Sequence, residues 1–247
     1  MARPIAIHCR LIRSILTLAL LIGLSVALPG LFSVRPAYAA SATSIVVNDN
    51  GDSAVCTTQI TLRCAIASAN GATKMPVTIT FSVSGTITVG SVLSINNVNQ
   101  PITIDGGAQA ISVDGGGATQ IFNIASNTTV TLNSLTISHG GYLSFTDAGG
   151  VLNNGTLTIS RSTLSNNQNN RNGGAVLNNS TMIINDSTLS NNRADFGGGI
   201  YNDSTGSLTI NRSTFFQNIT SFYGAGVFNH GTITIDNSTF YTVIASC

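Results

Sequence analysis

Apolar residues recur along the C-terminal part of the chain at fixed offsets. Segments beginning at Ala148, Gly173, Gly197 and Gly224 share one pattern, and their starts are 25, 24 and 27 residues apart. A period of this size marks a stacked solenoid, in which each repeat buries its apolar face against its neighbours. Val151, Val176, Ile200 and Val227 form one apolar column, and Leu157, Met182, Leu208 and Ile233 form a second. Ile159, Ile184, Ile210 and Ile235 form a third, and Leu164, Leu189, Phe215 and Phe240 a fourth. The second and third columns lie two residues apart, the periodicity of a strand whose alternate side chains point inward. The repeats are rich in Thr, Ile, Val, Asn and Gly, which favours strands joined by tight turns. The expected fold is all-β, a parallel β-helix solenoid with one repeat per coil.

The pattern reaches further upstream in weaker form. Residues 44–48, 77–81, 86–89, 102–107, 111–116 and 129–137 alternate as strands, some ending in turns. Leu132 and Ile137 keep the separation of Ile159 and Leu164. At about 25 residues per coil, roughly seven or eight coils are expected. The extra residues of the third repeat fall at Asp203-Ser204-Thr205-Gly206, a turn sequence, so strand length holds while the turns vary. Residues 61–69 form the one convincing helix outside the first forty residues, with Thr61 as N-cap and Asn70-Gly71 as its stop. Leu62 and Ile66 lie one helical turn apart, so the helix is expected to cap the first coil.

Residues 1–39 read as a secretory signal peptide. Arg3, Arg10 and Arg13 precede an apolar run from Ile15 to Val34, and Ala37-Tyr38-Ala39 is a cleavage signal. The run is long enough for an uncleaved membrane anchor, the rival reading, but its Pro29-Gly30 break and the A-x-A sequence favour cleavage after Ala39. The expected plan is a leader at 1–39, a strand and capping helix at 40–75, and the β-helix at 76–247, with clear repeats from 148. The implied location is extracellular or in the cell envelope, with membrane contact only through an uncleaved leader.

After the leader, six Lys/Arg stand against nine Asp, a net charge of −3. No basic patch supports nucleic-acid binding. Cys56, Cys64 and Cys247 remain. Cys56 and Cys64 lack the nearby Cys or His that a zinc site needs. In an exported chain a local disulfide between them is preferred, with two buried thiols as the alternative. Asp49-Asn50-Gly51-Asp52 partly resembles a calcium loop, but the rest of that pattern is missing and an Asx turn is preferred.

Two motifs resemble a bacterial family of exported right-handed β-helix proteins with polymorphic outer-membrane-protein repeats, written G-G-A-[ILV] followed by F-x-x-N. Gly173-Gly174-Ala175-Val176 matches the first half and Phe215-Phe216-Gln217-Asn218 the second, while residues 164–167 and 189–192 match with Leu for Phe. Ile60-Thr61-Leu62-Arg63-Cys64-Ala65-Ile66 is similar to the family's C-S-L-R-E-A-I sequence, with Ile, Thr and Cys at its first, second and fifth positions. The family's Ser and Glu are spaced as a capping box. Here the Glu partner is lost and Cys64 stands in its place, so a Cys56–Cys64 bridge would replace one local staple with another. The resemblance implies a right-handed β-helix and export, and it brings no catalytic residues.

Many parallel β-helices cleave polysaccharides, which makes an enzyme one candidate reading. Asp105 and Asp114 each sit in a D-G-G turn, and His139 and His230 stand alone in turn-like contexts. No triad, paired carboxylates or metal cluster emerges, so no catalytic residue, metal or cofactor is assigned. Arg161, Asp186, Arg212 and Asn237 share one repeat position and are expected to form a charge ladder, read as structural over ligand-binding. Asn153, Asn178, Asn202 and Asn229 are expected to form a turn ladder of stacked amides.

Leu152, Leu177, Tyr201 and Phe228 follow the first inward column, so alternation puts them outside as a contact surface; a local bend turning them inward is the alternative. The expected function is a secreted or cell-surface structural or adhesive module whose partners are glycans or surface proteins. A carbohydrate-active enzyme and a passenger fragment of an autotransporter-like protein are the alternatives. The last repeat is not followed by the Asn seen after the others. Truncation from a longer protein is therefore expected, or end-to-end self-association through Ile235, Phe240 and a Cys247 disulfide.

Overall fold

The four apolar columns stack in register in a computed structural model of the chain, which describes residues 43–142, 148–241 and 244–245. The leader and Cys247 lie outside the described residues. Val151 pairs with Val176, Val176 with Ile200, and Ile200 with Val227, all in parallel. Leu157 and Ile159 align with Met182 and Ile184, then with Leu208 and Ile210, then with Ile233 and Ile235. Leu164, Leu189, Phe215 and Phe240 complete the set. The third column continues upstream through Leu132, Ile104 and Ile79 to Ile45. Inward positions alternate with outward ones along each strand, and the inward side chains merge into one apolar core running from Val47 to Phe215.

The strands form four parallel faces of eight, seven, six and five strands. The eight-strand face runs from Thr43–Val47 to Thr232–Asp236, and the seven-strand face from Gly85–Thr88 to Thr239–Tyr241. The six-strand face, from Leu93–Ile95 to Val227–Asn229, closes each coil, so the described residues complete about six turns, fewer than seven or eight. Residues between Val47 and Val77 account for the difference, because they build a loop and a helix instead of a coil. The five-strand face begins only at Gly141–Tyr142. In the turn before it, the chain passes from the strand Ile111–Asp114 to Phe122–Ile124 with no strand between, leaving a ledge where the fourth face starts.

Single left-handed residues make the corners. Ser134, Arg161, Asp186, Arg212 and Asn237 have φ of 53°, 47°, 49°, 46° and 48° and join the eight-strand to the seven-strand face. His139, Asn166, Asn191 and Gln217 form a second such column, with φ of 50°, 56°, 54° and 51°. A non-glycine residue in this region costs about 1–2 kcal/mol. Stacking identical corners keeps all flanking strands in register, which offsets that cost.

Three polar ladders, buried except at Asn229 and Ser238, run beside the apolar columns. Asn153 donates through Nδ2 to Asn178 Oδ1 at 2.7 Å, Asn178 to Asn202 at 2.6 Å, and Asn202 to Asn229 at 2.6 Å. Asn167, Asn192 and Asn218, the asparagines of the F-x-x-N positions, form a second ladder with steps of 3.1 and 3.0 Å. Ser162, Ser187, Ser213 and Ser238 form a third, each later hydroxyl accepting the backbone N–H of the serine before it. Buried polar groups are satisfied here by repetition.

The helix α1 (Leu62–Asn70) starts where expected. Thr61 Oγ1 accepts the backbone N–H of Cys64 at 3.2 Å. Its buried face of Leu62, Ala65, Ile66 and Ala69 joins the core at the N-terminal end of the stack. Asn97 Nδ2 donates to the carbonyls of Ala69 and Ala72, and Asn70 bonds the backbone at Ser94 and Asn96, which fastens the helix end to the first coil. Gly71 is right-handed, with φ −85°, so Asn97 supplies the stop that a left-handed glycine would otherwise give. Arg63 forks onto Asp52 at 2.9 Å through both Nε and NH2 and donates to the carbonyls of Ser91 and Val92.

Cys56 and Cys64 form a disulfide, with Cα atoms 5.5 Å apart and a sequence separation of 8. It ties the loop before α1 to the helix. The chain-entropy model assigns a closed loop of this size about 2.5 kcal/mol. Denaturant unfolding of the oxidised and reduced protein is expected to differ by about that amount. Coincident curves would show that the bridge constrains nothing.

Candidate functional site

The contact-surface column divides along its length. Leu152 and Leu177 are covered, packing with Ala148 in a small cluster separate from the core, with Tyr201 at its edge. They point outward, as alternation requires, yet are shielded from water, so the expectation of a uniformly exposed apolar ladder is corrected at these two positions. Tyr201 and Phe228 are half-buried and join rings the sequence pattern did not single out.

Those rings come from the five-strand face. Phe196 aligns with Tyr223 in the next turn, as Tyr201 aligns with Phe228. Between the two aromatic columns lies the tight turn at Gly197, where φ is +67° and a Cβ would lie 2.2 Å from the carbonyl oxygen of Ile200. Only glycine accepts both conditions, and the turn brings the flanking columns face to face. Phe228 lies 5.4 Å from Phe196, 5.3 Å from Tyr201 and 6.2 Å from Tyr223, ring centre to ring centre. Phe196 also stacks on Phe222 at 5.3 Å. These are ordinary distances for aromatic pairs, which prefer offset or tilted arrangements.

The result is an aromatic ridge outside the core, with Phe222 57 % and Tyr223 64 % exposed. His230 lies 4.6 Å from Phe228, and the Tyr201 hydroxyl is 3.3 Å from His230 Nδ1. Partial burial, together with the charge of Asp203, pushes the Tyr201 hydroxyl above its usual pKa, so it stays protonated at neutral pH. Arg171, Asn172, Phe196, Tyr201, Phe228 and His230 line a shallow cavity of about 180 Å³ beside the ridge. Asn169 Oδ1 accepts the backbone N–H groups of Arg171 and Asn172, fixing the turn that carries them. Apolar ring faces thus lie beside polar groups able to bond hydroxyls.

The charge ladder is shorter than its sequence column. Arg212 forks onto Asp186 at 2.7 and 2.8 Å. This bond, followed by the nearby charges of Arg212 and Arg161, outweighs partial desolvation and holds the Asp186 carboxyl below its usual pKa. Asn237 instead donates to its own neighbour, Asp236, at 2.8 Å. All four residues are exposed corner residues, so their shared position is explained by the turn. The Asx turns appear as read: Asp49, Asp105 and Asp114 accept the backbone N–H two residues on.

One pairing was not foreseen. His139 Nδ1 lies 2.8 Å from Asp114 Oδ2, a contact between residues 25 apart, one repeat period. That spacing was the available signal, since the two residues stand on adjacent turns. Among the described residues, no three of His, Cys, Asp and Glu converge as a metal site, and no helix is long and apolar enough to cross a membrane. No protein-family model matches the chain, and no curated protein matches it.

Proposed function

We propose that this is an exported, non-enzymatic adhesion module that binds glycans along its aromatic ridge. The observation that carries the reading is the gathering of Phe196, Tyr201, Phe222, Tyr223 and Phe228 outside the core on neighbouring turns, two of them more than half exposed. A soluble protein gains nothing in folding by exposing such rings, and patches of this kind mark contact surfaces. Sugar rings present flat C–H faces that stack on aromatics and a rim of hydroxyls that bond polar neighbours. Arg171, Asn172 and His230 supply those neighbours. Export is supported by the Cys56–Cys64 disulfide, because disulfides persist in oxidising compartments. Kinship with the exported β-helix family is supported by the roles of its motif positions: Gly173 makes a left-handed turn and Asn167, Asn192 and Asn218 a buried ladder.

A glycan array followed by titration calorimetry tests the reading. At least one glycan class is expected to bind. The Phe222→Ala, Tyr223→Ala double variant is expected to lose about tenfold or more in affinity, with its unfolding midpoint nearly unchanged because both rings are exposed. Binding unaffected by the double variant would overturn the assignment to the ridge.

A further inference from the structure

We propose that the Asp114–His139 pair and the cavity beside it form a second binding site, for a neutral, polyhydroxylated ligand the size of a sugar. The cavity holds about 490 Å³ and is lined by Gly117, Ala118, His139–Gly141, Asn166, Gln168 and Asn170. Ligand pockets commonly span about 300–1,000 Å³. It lies at the ledge where the five-strand face begins, so it arises from the architecture and does not depend on the ridge. Its backbone walls approach one another closely. A Cβ on Gly140 would lie 2.2 Å from the carbonyl oxygen of Gly149, and one on Gly141 would lie 2.3 Å from that of Gly117.

The polar groups at this cavity are oriented or available. Asp114 Oδ1 is held by the Gly116 N–H at 2.7 Å, while Oδ2 accepts from the Ser138 hydroxyl at 3.5 Å and faces His139 Nδ1 at 2.8 Å. A carboxylate only accepts, so Nδ1 of His139 carries the proton and donates. In the neutral imidazole Nε2 is then a lone-pair acceptor, suited to a ligand hydroxyl. The His139 side chain is 54 % exposed and that of Asp114 only 18 %, so the carboxylate acts as the support and the imidazole as the contact. Asn166, Gln168 and Asn170 are exposed and bring their side-chain amides to the lining. Each offers both donor and acceptor, matching a ring of hydroxyls. The carboxylate beside the site disfavours an anionic sugar.

The test is ligand-observed NMR and calorimetry with glucose, galactose, mannose, N-acetylglucosamine, their β-1,4-linked disaccharides and glucuronate. At least one neutral sugar is expected to bind and glucuronate to bind more weakly. His139→Ala is expected to weaken binding about tenfold or more. Asp114→Asn keeps the Gly116 turn but presents an N–H to Nδ1, so the imidazole takes the other tautomer and Nε2 becomes a donor. The same loss is expected, with the tautomer change visible in the imidazole nitrogen spectrum. Gln168→Ala, at an exposed position, gives a smaller loss and keeps the test intact if Asp114→Asn fails to fold. The Phe222→Ala, Tyr223→Ala variant is expected to retain this binding, which separates the two sites. Absence of binding by every neutral sugar, preference for glucuronate, or unchanged affinity in both His139→Ala and Gln168→Ala would overturn the proposal.

Discussion

Replacing Asn192 by leucine is expected to destabilise the protein by about 3–6 kcal/mol, since each buried polar group left unpaired costs roughly 1–3 kcal/mol. Asn192 is the middle rung of its ladder. Its Oδ1 accepts the backbone N–H and the Nδ2 of Asn167 at 3.0 and 3.1 Å, and its Nδ2 donates to the Leu164 carbonyl at 2.9 Å and to Asn218 at 3.0 Å. Leucine fills similar volume and satisfies none of these groups. The residue is fully buried, so water does not replace the lost partners. A loss of this size is a large fraction of the about 5–15 kcal/mol that holds a typical domain. Its neighbour Asn191 is the control. It is exposed and left-handed at φ 54°, so Asn191→Gly is expected to be neutral or slightly stabilising. Urea unfolding of the two variants checks both; similar midpoints would show that the ladder carries no stability.

Removing residues 40–75 from the chain lacking residues 1–39 is expected to leave an aggregation-prone rod. The deletion takes away the strand Thr43–Val47 and α1, whose Leu62, Ala65, Ile66 and Ala69 are buried in the first turns of the core. Loss of the Leu62 and Ile66 contacts alone costs on the order of 4–8 kcal/mol if each side chain behaves like a large-to-small core change. It also leaves Val77–Phe81 as an edge strand with unpaired backbone groups, a template for pairing with another chain. Sedimentation velocity across a hundredfold concentration range measures the outcome. A truncated chain that stays monomeric, with an unchanged melting temperature, would show that α1 does not cap the stack.

The stacking was legible because inward columns repeat with small tolerance. Once Val151, Val176, Ile200 and Val227 are aligned and the turn insertion at residues 203–206 is allowed for, the other three apolar columns follow, and the observed register keeps that alignment. The buried asparagine ladders were half legible: the repeat positions show in the sequence, but composition cannot separate buried Asn192 from exposed Asn191 beside it. The number of turns was overestimated because the loop and helix between Val47 and Val77 consume chain without adding a full coil. The aromatic ridge was partly hidden. Tyr201 and Phe228 share a column, but Phe196 and Tyr223 meet them only through the sharp turns at Gly197 and Gly224, which strand alternation does not describe. The pairing of Asp114 with His139 depended on the weak early repeats, where the five-strand face has not begun.

The most direct test of a binding module without turnover is the fate of the glycan it captures. The protein is incubated at high concentration with the tightest ligand from the array, and the mixture is followed for reducing ends, unsaturated products and changes in ligand mass. Saturable binding with the glycan recovered intact is the predicted result. Reproducible release of shortened or unsaturated sugar, abolished by His139→Ala or Asp114→Asn, would contradict the account and mark the chain as an enzyme.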